Sequence, residues 1–290
     1  GYFTSATGVT IYRGDAWPEE YRNNAFIGDV GSNLVHRKVM DPDGVSLKAH
    51  RPAGEEKTEF VRSKDIWFRP VQFSNGPDGN LIVLDMYREV IEHPASLPPI
   101  IKKHLDLTSG RDRGRLYRIV HEGFTQPAIP KLSKTPTAEL VPLLAHKNAW
   151  HSETAARLIY ERQDKPIVPA LEDLAKNCPS ELGRKNALYA LGTLGALTPK
   201  HVLLGLTDTS PLVRANTVKL AEGSIKDANV LAKLVSMASD DNSLVRYQLA
   251  YTLGDALDPN AYSALVALAK KDAADKWFHF AILTSSFAGS

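Results

Sequence analysis

Four short segments recur along the second half of the chain with 32, 30 and 32 residues between their first positions: Ser152-Glu153-Thr154-Ala155-Ala156, Arg184-Lys185-Asn186-Ala187-Leu188, Arg214-Ala215-Asn216-Thr217-Val218 and Arg246-Tyr247-Gln248-Leu249-Ala250. So regular a spacing in an Ala- and Leu-rich region leaves few folds open, because helix pairs of one length bury their apolar faces by stacking on copies of themselves. Asp208 stands six residues before Arg214 in DTSPLVR, and Asp240 six before Arg246 in DDNSLVR. That placement predicts a carboxylate in each turn facing the arginine of an adjacent helix. Positions three, four and seven after Arg246 are Leu249, Ala250 and Leu253, an apolar stripe that stacks on a neighbour. A looser copy spans Trp277 to Ser286 with His279 near the arginine position, and the lack of a polar cap there predicts a solenoid continuing beyond Ser290.

Ahead of the repeats the pattern changes. Residues 125–136 read as a Pro-rich linker containing Pro127, Pro130 and Pro136, with Pro142 following inside the first helix. Residues 1–124 offer short β-forming runs punctuated by turns: Gly8 to Arg13, Ala25 to Val30, Asn33 to Met40, weaker candidates at Val45 to His50 and Thr58 to Arg62, then Pro70 to Asn75, Leu81 to Leu84 and Arg115 to Val120. The turns Pro42-Asp43-Gly44 and Pro77-Asp78-Gly79 each precede an apolar strand, and their Asp-Gly pairs supply the φ > 0 position of a tight turn. Sequential antiparallel strands of this spacing suit a sandwich, barrel or propeller.

Between Leu84 and Arg115 lies an insertion too long for an unstructured loop. Tyr87 to His93 is expected to make about two helical turns ending before Pro94, and Leu97 to Leu107 a second helix started by Pro98-Pro99. Asp85, Glu89 and His93, spaced four apart, would then share a face as candidate acid–base groups. The plainer reading, a Glu89–His93 pair that pins the loop, is preferred. Arg111, Arg113, Arg115 and Arg118, with Lys102 and Lys103 nearby, form a basic cluster able to clamp an anion through guanidinium forks. The competing reading has Asp106 and Asp112 neutralising those arginines and fixing the insertion. Arg69 is a comparable candidate. His36 on a strand reads as a face or loop residue, and Asp78 with Asp85 is too sparse a set for a dedicated Ca2+ loop.

The composition narrows the function. A net charge of +2 over 290 residues gives no electrostatic case for nucleic acid. No apolar run approaches the roughly 20 residues that a helical membrane span needs. Cys178 is the only cysteine, so no intrachain disulfide and no C-x-x-C-H attachment of covalent haem can exist in this chain. Gly1 is not an initiator Met and is expected to fall inside a fold, which predicts a fragment of something longer.

The runs TIYRGDAWPEEYRNNAFIGDVGSNLVHR, LDMYREVIEHP and HLDLTSGRDRGRLYRIV together resemble the C-terminal blades of the membrane-bound dehydrogenase family of planctomycetes and verrucomicrobia, relatives of glucose/sorbosone dehydrogenases. The resemblance covers about the first 120 residues; the helical remainder is similar to HEAT or armadillo-like repeats, though with a slightly short period. It implies a partial β-propeller of about two blades at 1–124, the linker at 125–136, and HEAT-like repeats at 137–290. It further implies a periplasmic or secreted oxidoreductase of sugars or polyols, with pyrroloquinoline quinone (PQQ) and Ca2+ in the full-length parent. Arg69, Arg111, Arg113 and Arg115 become candidates for holding the quinone, and the helical repeats a docking arm for a c-type cytochrome segment. In the related enzymes the catalytic histidine lies in earlier blades, so this chain alone is expected to be inactive. The alternative is a non-catalytic scaffold that binds protein or polysaccharide.

Overall fold

The computed structural model describes residues 3–286. Two compact units make up the chain: one comprises the chain through Pro42 with Leu47–Pro130 and Lys147–Trp150, the other Asp43–Ser46, Lys131–His146 and the chain from His151.

The β unit contains two open antiparallel sheets. Strands β1 (Ala6–Ile11), β2 (Ala25–Asp29), β3 (Leu34–Asp43) and β4 (Ser46–His50) follow one another across the first, and β5 (Val61–Arg62) pairs with β3 away from that path. Strands β6 (Pro70–Asn75), β7 (Leu81–Asp85) and β8 (Arg115–Ile119) form the second. Neither closes on itself, and the division is five strands and three rather than two blades of four. The Thr58 to Arg62 strand shrinks to the two residues of β5. Alternation turns Phe26, Val35, Phe73, Leu81 and Val83 inward, where they pack with Tyr12. Tyr12 is more than filler: its hydroxyl donates to the Gly79 carbonyl at 2.7 Å and accepts from the Trp17 N–H at 3.0 Å. The thread between β1 and β6 is carried by side chains, as the Thr7 and Thr10 hydroxyls donate to the Val71 and Phe73 carbonyls.

The insertion differs from expectation. Tyr87 to His93 is irregular, with Tyr87 at φ 49°, and the carbonyls of Arg88 and Glu89 that a helix would offer to its own next turn are taken by the Arg69 guanidinium. Of the second predicted helix only α1 (Pro99–Lys102) forms, starting after Pro98. Pro142 likewise interrupts the first helix of the second unit: α2 (Thr137–Leu140) ends and a 3-10 turn, Pro142–Ala145, replaces its continuation.

The helical unit then runs α3 (Ala149–Arg162), α4 (Val168–Asn177), α5 (Glu181–Thr193), α6 (Pro199–Leu206), α7 (Pro211–Leu220), α8 (Ala228–Ser236), α9 (Ser243–Thr252), α10 (Pro259–Lys271) and α11 (Lys276–Ser286). Helices α5, α7, α9 and α11 lie side by side in one layer, and α4, α6, α8 and α10 in a second. Starts are marked chemically: Asp227 caps α8, Asn242 caps α9 and Asp258 caps α10 through their side chains, while Pro199, Pro211 and Pro259 occupy first helical positions. Leu249, Ala250 and Leu253 are fully buried, together with Val218 and Leu234 from neighbouring helices.

Candidate functional site

A cleft of about 280 Å³ opens in the β unit where the chain from β5 to β6 passes the face of β7 and β8. Its walls are Val35, Val61, Phe68, Val83, Tyr117 and Ile119, and its polar groups are Arg62, Ser63 and Asp65. Val83 and Tyr117 are cross-strand partners, as are Leu81 and Ile119, so the period of two sets which side chains reach this face. Phe68 meets the Tyr117 ring with centroids 6.0 Å apart. One end is built from a chain of polar contacts. The Tyr87 hydroxyl donates to Asp65 at 3.0 Å, the Arg115 guanidinium lies 3.4 Å from the centre of the Tyr87 ring, and Arg115 also donates to the Tyr117 hydroxyl at 3.1 Å. Tyr87 holds a left-handed backbone, a strain of the kind that persists only when surrounding contacts over-determine it. An apolar hollow with a few fixed polar groups is a general design for ligand recognition.

The candidate acid–base residues do not converge. Asp85 is buried at the end of β7, where one carboxylate oxygen accepts from the Arg69 and Tyr87 N–H groups at 2.7 and 2.8 Å. Its other oxygen is buried without a hydrogen-bond partner. The backbone carbonyl of Glu89 accepts from Arg69, and His93 is exposed, its Nδ1 accepting from the Ala95 N–H as the cap of a 3-10 turn. With no helix between them, the shared face never forms. Asp78 accepts from Asn80 N–H and from Arg118 at 2.8 Å; burial works to raise its pKa, and the bonds from Asn80 and Arg118 outweigh it and lower it. His36 is almost fully buried, with Nδ1 2.5 Å from Glu59, whose other oxygen pairs with Arg51 at 2.6 Å. Burial opposes the Glu59 charge, but Arg51 and His36 prevail and hold its pKa down.

The arginines are dispersed as well. Arg69 spends its guanidinium on the carbonyls of Val30, Arg88 and Glu89, at 2.7 to 2.9 Å, and so ties the insertion to the first sheet. Arg111 and Arg113 sit exposed in the loop before β8, the latter 3.9 Å from Asp112. Asp106 accepts from the Thr108 backbone and hydroxyl within its own turn. Arg115 and Arg118 project to opposite faces of β8. The five arginines do not converge on one point, and among the described residues no three His, Cys, Asp or Glu side chains gather as a metal-holding set. The cleft residues Arg62, Asp65 and Phe68, and Tyr87 that bonds Asp65, were not marked as site candidates in the sequence. Their meeting depends on the pairing of β5 with β3 and on an irregular loop, neither of which leaves a local signal.

In the helical unit the turn carboxylates form a ladder. Arg184 donates to both oxygens of Asp208 at 2.6 and 2.8 Å, Arg214 to Asp240 at 2.9 and 3.0 Å, and Arg246 to Asp272 at 2.9 and 2.6 Å. The remaining Nη1 of each arginine donates to two carbonyls of its own turn: Cys178 and Pro179, Asp208 and Thr209, Asp240 and Asp241. Asp208 and Asp240 accept in addition from the N–H groups of Ser210 and Asn242. Burial would raise the pKa of both carboxyls; the arginine forks and these N–H groups reverse the direction and lower them. His279 fills the arginine position of the last copy and gives its Nε2–H to the Ala273 carbonyl at 2.7 Å, as Arg246 does to Asp240. On the same layer Leu212, Leu244 and Trp277 occupy equivalent positions of successive repeats and are exposed.

Residues 1–123 match a family described as "Domain of unknown function (DUF7133)", and residues 198–277 match a family described as "HEAT repeats". No curated protein matches the chain.

Proposed function

We propose that this chain is a docking scaffold in which HEAT repeats present a protein-binding surface and the β unit carries a recognition cleft. The observation behind this reading is the row of exposed Leu212, Leu244 and Trp277, held at equal intervals by the Arg–Asp ladder. Large apolar side chains repeated on one layer, with Val45 sharing the hollow between Leu212 and Leu244, offer apolar surface to a partner, and the ladder fixes their spacing. The test is site-specific photo-crosslinking with benzoylphenylalanine at Leu244 in the source cells, with Val266 on α10 as the exposed control. The scaffold reading expects adducts of discrete mass from Leu244 and none from Val266. Equal labelling at both, or at neither, overturns it.

A second reading follows from the motifs that resemble sugar dehydrogenases, which lie in the segment matched by the family of unknown function. There the β unit is part of a propeller in a periplasmic or secreted quinoprotein acting on sugars or polyols, PQQ and Ca2+ are held with the help of residues outside this chain, and the helices dock a c-type cytochrome. It predicts quinone-dependent dye reduction with a sugar only when this chain is joined to such partners. Dye reduction by residues 1–290 alone with PQQ and Ca2+ would contradict the division of labour stated here.

A further inference from the structure

The strand β8 ends the three-stranded sheet: β7 pairs with one side of it, and among the described residues no strand pairs with the other. An open strand edge is a template for another strand, since its outward N–H and C=O groups are already set at ladder spacing. At the far end the Ile119 carbonyl is occupied by the Trp17 indole N–H, at 3.2 Å, so the open length is Arg115 to Arg118. Every residue of that length is exposed, Leu116 by 72 %.

Two further observations say what would pair there. Arg113 and Arg115 stand just before and in the strand with Asp112 as the nearby acid, at 3.9 Å from Arg113, while Arg111 also faces the charge of Asp106 and Arg118 is already committed to Asp78. And the cleft bounded by Val61, Phe68, Val83, Tyr117 and Ile119 opens on one face of the same strand, with room for a single branched or aromatic side chain. We propose that β8 accepts an extended acidic segment of a partner protein as a fourth strand, with one apolar side chain of that segment seated in the cleft and its carboxylates against Arg113 and Arg115. Backbone pairing supplies the affinity, the cleft the register and the arginines the preference for acidic sequence. This proposal concerns the β unit and stands apart from the docking role of the helices.

The probe is a fluorescein-labelled decapeptide alternating Glu and Val with one central Leu, and its matched control carries Lys in place of every Glu. Fluorescence polarisation with residues 1–290 is expected to show saturable binding of the acidic peptide alone, weakened about tenfold by Arg113→Glu, which lies on an exposed loop and leaves the fold undisturbed. Val61→Trp, which fills the cleft, should weaken it as well. Hydrogen exchange should show the outward-facing amides within residues 115–118 slowed by the peptide, those directed to β7 being slow already. The proposal fails if neither peptide binds, if both bind alike, or if protection falls outside β8. It also fails if the outward-facing amides are already protected in the free protein in a concentration-dependent way, since a second copy of the chain would then own the edge.

Discussion

Asp240 illustrates how much a single side chain carries. It accepts from both forks of Arg214 and from the Asn242 N–H, so Asp240→Asn keeps the volume and removes the charge from three bonds at once. Urea denaturation at pH 7 is expected to show a loss of about 2 kcal/mol, much of it recovered as coupling in a cycle with Arg214→Met. Titration gives an independent check. A carboxyl whose pKa is lowered by folding contributes stability above its unfolded value and surrenders it as pH falls through the folded one. Asp208 and Asp240 start from an ordinary 3.8, so the melting temperature of the helical unit should hold down to about pH 4 and then fall. At the alkaline end, burial raises the Tyr12 phenol to about 12, and the Tyr251 hydroxyl raises that of Tyr247 to about 12. Ultraviolet titration should find these two ionising last. Asp240 could be read from the sequence because its place six residues before an arginine repeats. Tyr12 could not, because its acceptor, the Gly79 carbonyl, lies 67 residues away.

Among the elements, turns were legible and the insertion was not. Asp78-Gly79 turns as its residue types require: Gly79 has φ 82°, and a Cβ there would stand 2.3 Å from the Asp15 carboxylate. Gly79→Ala is accordingly expected to cost roughly 1 kcal/mol or more in equilibrium unfolding. The residues Tyr87 to His93 carry helix formers and a terminating proline, so local preference points to helix. Arg69, distant in sequence, overrides it by taking the carbonyls that the first turn would use. Arg69→Lys, which keeps the charge but loses the fork, should speed hydrogen exchange at residues 86–93 while leaving the amides between β6 and β7 slow. The same dependence on remote partners explains why Asp85, Glu89 and His93 looked like a constellation in the sequence and stand apart in the fold.

At the scale of the molecule, the order of strands followed by helices was visible because composition changes across the Pro-rich stretch, whereas the partition of eight strands into sheets of five and three was not, since β5 pairs out of order. The two units have separate cores, one around Tyr12 and Phe26 and one around Val218, Leu249 and Leu253. Calorimetry should resolve two transitions, and Asp240→Asn should move one of them only. In the helical unit Asp208 and Asp240 each belong to two repeats at once, bonding the loop that follows and the arginine of the repeat before. A stretch cut from Asp208 to the residue before Asp240 therefore leaves ends that match, Arg184 meeting an aspartate in either case. Length is then a quantity the array can change in whole steps, reaching a longer or shorter partner without any new kind of contact.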